Sequence, residues 1–145
     1  MPSSANVKII RISAGWLPGM WPLVEPWLSK GLTAATDLSM VSIHHDLKTG
    51  EADLWAIAAP GEVRGAFLTS LYEHESGGVF LGVYALGGEH LPEWSSAIND
   101  TMQKFAKSQG AKSVRFAGRE AWSRVLPDYR VIGQRLGHQV YERAL

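Results

Sequence analysis

The chain has no cysteine. That absence excludes disulfide staples, thiolate zinc sites and a cysteine nucleophile, and it leaves His, Asp and Glu as the strong metal ligands. An excess of charge of one sign is missing too. The 14 Lys and Arg balance 14 Asp and Glu, so there is no broad basic footprint for nucleic acid. The longest low-polarity run, Gly77 to Gly88, is far short of the roughly 20 residues that a spanning helix needs. Met1 to Asn6 and the following Val7 to Ile12 show neither a long apolar stretch nor a cleavage site, so no signal peptide is readable. G-x-S-x-G, P-loop, H-E-x-x-H and dinucleotide fingerprints do not occur, which removes the sequence grounds for hydrolase, nucleotide-binding and zincin chemistry.

What is present suits one compact domain over 1–145: 145 residues, 46% hydrophobic, 19% charged, with six Trp. Val7 to Ile12 reads as a short strand ended by Ser13, Ala14 and Gly15. From Trp16 to Leu32, Trp16, Met20, Val24, Trp27 and Leu28 keep helical spacing. Pro18, Pro22 and Pro26 interrupt it at about 3 kcal/mol per interior position, which predicts broken helical turns. Thr36 to Leu47 reads as a helix capped by Thr36 or Asp37 and stopped at Gly50, with a strand over Met40 to Ile43 as the rival.

Three strands follow, Asp53 to Ala58, Val63 to Tyr72 and Val79 to Leu86. Pro60-Gly61 and Glu75 to Gly78 supply the turns of an antiparallel meander. After Gly87-Gly88 the period becomes helical: Trp94, Ile98, Met102, Phe105 and Ala106 line one face, and Gly110 ends the helix. Ile98, Met102 and Phe105 are its expected core positions. Ser113 to Ala117 then reads as a strand, Arg119 to Leu126 as a helix, Tyr129 to Leu136 as a further turn or two, and His138 to Leu145 as a last strand. The fold class is α+β: a mixed, mostly antiparallel sheet of six or seven strands flanked by helices. One parallel β-α-β crossover joins Val79–Leu86 to Ser113–Ala117.

That element order resembles the GNAT acyltransferase fold over nearly the whole chain. Leu47-Lys-Thr-Gly-Glu-Ala-Asp-Leu-Trp55, Gly118-Arg119-Glu120-Ala121-Trp122 and Leu136-Gly137-His138 are similar to phrases in small GNAT-like proteins of tailed bacteriophages. The resemblance implies that a pantetheine arm lies along Val83, Tyr84, Ala85 and Leu86. It also implies that Gly87 and Gly88 open a loop whose amides, at a helix N-terminus, cradle a diphosphate. The chain departs from the family pattern there. Its loop, Gly87-Gly88-Glu89-His90-Leu91-Pro92-Glu93, has neither Gln nor Arg, and the carboxylates of Glu89 and Glu93 oppose a diphosphate. On this ground no cofactor is expected, with acetyl-CoA reserved for the enzymatic alternative.

Many family members place an acidic Tyr four residues before the Gly of a closing Gly-Phe pair, and counting from Gly137 gives Gly133. Tyr129 takes that role only if the chain after Pro127 re-registers. Tyr84, His90 and Tyr129 are therefore the catalytic candidates, each weighed against a bland alternative in packing or solvent contact. Adjacent His44 and His45 diverge by about 100° on a helix and do not share a metal. Trp16, Trp21 and Trp27 are read as filling the sheet's near side, or as an interaction patch if two of them are exposed. Arg115 and Arg119 are read as a solvated sheet end or as contacts to an anion or partner.

Two functions from different classes remain. One is a GNAT-fold bacteriophage accessory or virion protein that acts through a protein partner with a degenerate acyl-CoA site. The other is an acyl-CoA-dependent N-acyltransferase. The expected location is the host cytoplasm or the virion, and the expected partner is a phage virion or host protein, with no membrane and no strong nucleic-acid signal.

Overall fold

The computed structural model describes residues 7–31, 39–89, 91–118, 128–135 and 138–145. Strand β1 (Lys8–Ile12) leads through a 3-10 turn (Ala14–Trp16) into helix α1 (Leu17–Gly31), and helix α2 (Met40–Thr49) follows. Then come β2 (Asp53–Ala59), β3 (Glu62–Glu73), β4 (Val79–Gly88), helix α3 (Leu91–Ser108), β5 (Ser113–Gly118), β6 (Arg130–Arg135) and β7 (His138–Ala144). The strands form one sheet in the order β1-β2-β3-β4-β5-β7-β6. The β4–β5 pair is parallel and the other pairs are antiparallel. A parallel neighbour requires a crossover, and α3 makes it.

Each face of the sheet has its own core. On one, Ile98, Met102 and Ala106 of α3 pack on Trp55, Phe67, Leu81, Val83, Val114, Phe116 and Tyr141. On the other, Val24 and Leu28 of α1 and Ile43 and Leu47 of α2 pack on Leu54, Ala56, Ala66, Leu68 and Ala85. Phe105 is only half-buried. It stands edge-on to Trp55 at 5.0 Å, and the Arg11 guanidinium covers its outer side at 4.9 Å.

Three expectations are corrected. The helix at residues 17–31 is continuous, with Pro22 and Pro26 inside it. Pro18 occupies the second helical position, where an N–H has no intrahelical partner in any case. The two interior prolines lie on the exposed side, while Leu17, Val24 and Leu28 are buried, so burial offsets the missing hydrogen bonds. Helix α2 begins at Met40 with Ser39 as N-cap, and Ser39 and Ser42 form a reciprocal capping box. Thr36 and Asp37 lie outside the described residues. The stretch expected as helical turns over Tyr129 to Leu136 instead contains β6, the edge strand beside β7, within its described residues 129–135. The helix expected over Arg119 to Leu126 lies outside the described residues.

Candidate functional site

The sequence of β4 builds a break in the sheet. Leu68 of β3 pairs with Tyr84 and Ala66 pairs with Gly87, so Ala85 and Leu86 together oppose the single residue Phe67. This is a β-bulge. Its effect is visible in packing: Val83 and Ala85, two residues apart, would share a face on a regular strand, yet they lie in opposite cores. Ala85 has φ +54°, the one positive φ at a non-glycine among the described residues.

On the other edge of β4, the parallel rungs to β5 are Leu81 to Val114, Gly82 to Arg115 and Val83 to Phe116. β5 continues to Gly118 without a further β4 partner. The two strands therefore part beyond Val83, and the β5-facing edge of β4 from Tyr84 to Gly88 has no strand beside it among the described residues. An extended chain that needs backbone hydrogen-bond partners fits that edge.

Glycines set the walls. A Cβ on Gly87 would lie 1.9 Å from the Trp27 carbonyl oxygen, and one on Gly31 would lie 2.4 Å from the Ala85 carbonyl. The last turn of α1 thus rests directly on the bulge. From the other side, a Cβ on Gly65 would lie 2.8 Å from the Gly87 carbonyl oxygen. The Glu89 N–H donates to the Arg64 carbonyl at 3.0 Å, which fixes the start of the loop towards α3.

The candidate side chains do not gather at this edge. Val83 and Leu86 turn to the α3 face and Tyr84 and Ala85 to the α1 face. The Tyr84 hydroxyl shares a 2.9 Å hydrogen bond with Ser70 Oγ, which in turn donates to the Glu51 carbonyl at 3.1 Å. Burial pushes the Tyr84 phenol well above its ordinary value. Tyr129 is in the opposite core, edge-on to Phe116 at 5.5 Å, and its hydroxyl donates to Asn99 Oδ1 at 2.7 Å. Burial raises this phenol as well. Tyr129 immediately precedes β6, whose bulge falls at Ile132 between Val131 and Gly133, and Gly133 stands at the position four residues before Gly137. His90 and Arg119 lie outside the described residues.

Arg115 is engaged within the protein. Its Nε donates to Glu142 at 2.8 Å, its Nη2 to Glu75 at 2.7 Å, and its guanidinium stacks 4.0 Å from the Phe80 ring centre. Trp16 is 70% exposed. Trp21 is half-buried against His44 at 4.6 Å, and half-buried Trp27 carries Lys30 at 4.8 Å. Among the described residues no three His, Asp or Glu could hold a metal ion, and no helix is long and apolar enough to cross a membrane. Two hollows, of about 520 and 350 Å³, lie away from the parted strands, one by Asp128 and Arg143 and one by Arg11 and Leu47.

No protein-family model and no curated protein matches the sequence. Solved structures do match in fold. A GNAT family acetyltransferase from Elizabethkingia anophelis with acetyl-CoA bound superposes with a TM-score of 0.67 at 13% identity, over 97% of this chain and 99% of that one. An agmatine N-acetyltransferase gives 0.71 at 12% identity, over 97% and 100%. An N-acetyltransferase from Thermoplasma acidophilum in complex with coenzyme A gives 0.59 at 10% identity, over 96% and 99%. The seven-stranded mixed sheet with its three described helices has the GNAT fold. The finer likeness to bacteriophage proteins finds no counterpart in these matches.

Proposed function

We propose that the protein binds an acyl-CoA along the parted edge of β4 and transfers the acyl group to an amine. The observation that carries this reading is the combination of the Ala85–Leu86 bulge with the loss of β4–β5 pairing after Val83. The bulge disrupts β4 while α1, through Gly31 and Gly87, holds the disrupted backbone in one place. Preorganised amides of that kind suit a pantetheine arm and a thioester carbonyl.

Coenzyme A, when bound, supplies an acyl group already activated as a thioester. The chain's own part is to orient that thioester and hold its carbonyl oxygen with β4 amides, while excluding water through the α1 contact. Tyr84 follows Val83, the last residue of β4 paired with β5. Its hydroxyl is engaged with Ser70 on the α1 face and burial raises its phenol, so it is not assigned as the proton donor. Tyr129 takes no part, since its hydroxyl is occupied in the α3 core.

A second reading keeps the fold without the chemistry, as a bacteriophage accessory or virion protein that works through a protein partner. It is favoured by the exposed Trp16 and Leu23, although Trp21 and Trp27 are half-buried, and by the internal engagement of both phenols. Calorimetric titration with acetyl-CoA separates the two. The acyltransferase reading expects a dissociation constant in the micromolar range, about −7 to −8 kcal/mol, whereas no heat up to millimolar cofactor would leave the partner-binding reading.

A further inference from the structure

We infer that Arg64 supplies the cation for the cofactor diphosphate, a charge that the loop after β4 does not carry. The inference rests on the acyl-CoA reading above. Gly65 pairs with Gly88, and the Arg64 carbonyl accepts the N–H of Glu89, so Arg64 is anchored one peptide from the residues that open the loop.

Ile57 pairs with Gly65 and Ala58 with Val63, which leaves Arg64 as the extra residue of a β3 bulge with no partner on β2. Its side chain is about one-third exposed, and its Nε donates to the Glu62 carboxylate. Glu62 is more than half exposed, and an ion pair in that setting contributes little. A diphosphate presents more charge than one carboxylate and matches the guanidinium fork, so it displaces Glu62. Lys30, at the end of α1, is already seated over Trp27. Arg64 then offsets the carboxylate of Glu89, the feature that speaks against cofactor binding when the loop is read alone.

Calorimetry with two probes, coenzyme A and pantetheine, tests the assignment, since pantetheine lacks the diphosphate. Arg64→Ala should weaken coenzyme A about ten- to hundredfold and leave pantetheine unchanged, as expected for losing charge-assisted hydrogen bonds. Glu62→Gln, which frees the guanidinium, should tighten coenzyme A by about two- to fivefold, and it carries the test alone if Arg64→Ala fails to fold. Wild-type binding that neither variant changes would overturn the role of Arg64 and leave the acyl-CoA reading intact. Failure of the wild type to bind coenzyme A up to millimolar concentration would overturn both.

Discussion

Glu142 shows how single residues hold the half of the sheet that α1 and α2 do not cover. Its carboxylate is only 8% exposed and accepts from Arg115 at 2.8 Å and Ser113 at 3.0 Å, with Arg130 at 3.6 Å. His74 completes the set. Its Nδ1 accepts the Ser76 N–H at 3.1 Å, which places the proton on Nε2, and Nε2 faces Glu142 at 3.4 Å. Burial alone would raise the Glu142 carboxyl, but the hydrogen bonds from Arg115 and Ser113 outweigh it and hold the group below its ordinary 4.5. A carboxyl lowered on folding contributes stability that is present above its unfolded pKa and lost as pH falls through the folded one. Stability of the wild type should therefore decline as pH drops below 4.5, and Glu142→Gln should remove part of that decline. At neutral pH, Glu142→Ala should cost about 2 kcal/mol in urea denaturation, because the half-buried Arg115 guanidinium keeps Glu75 but loses its inner partner. The two variants showing wild-type stability and acid response would contradict this account. An arginine inside a strand was visible in the sequence. Its partners were not, since Glu75 and Glu142 are 40 and 27 residues away.

Among the elements, α1 decides whether the parted edge of β4 keeps its shape. Its prolines argue locally for broken turns, and that argument is right about cost and wrong about outcome, because the two residues at risk face solvent while Val24 and Leu28 are fully buried. Helical spacing was legible and tertiary packing was not. Contact with the bulge needs glycine at both ends, so Gly87→Ala, which would place a Cβ 1.9 Å from a fixed helix carbonyl, should cost about 3 kcal/mol. Gly19→Ala is the control. It lies in the same helix with nothing within 4 Å of the added carbon, and should stabilise the protein by about 0.5 to 1 kcal/mol. Thermal or chemical denaturation of the two variants checks both signs. Equal effects would mean that α1 does not rest on β4 as described.

For the whole molecule, the strands with clean alternation and turn chemistry were legible to within a residue or two. So was α3, whose single apolar stripe forces the crossover that makes β4 and β5 parallel. β6 was missed because Arg130-Val-Ile-Gly-Gln-Arg135 is a short edge with no alternation and a bulge at Ile132. The break in β4 was not legible from its residues, although the span that the resemblance implies for a pantetheine arm, Val83 to Gly88, includes it. Its cause, two residues of β4 opposite one of β3, depends on pairing register, which no local pattern encodes. The same holds for Arg64, whose place beside the loop after β4 is set by the pairing of β3 with β4. The edge of β4 beyond Val83, without a strand beside it among the described residues, is thus proposed as a backbone binding surface. The most direct test is to follow amide resonances during a titration of the wild-type protein with coenzyme A. The account predicts saturable shifts concentrated at Tyr84 to Glu89 and at Ala117 and Gly118, with little change in β1, β2 and β6. Shifts confined to other surfaces, or none up to millimolar cofactor, would contradict it.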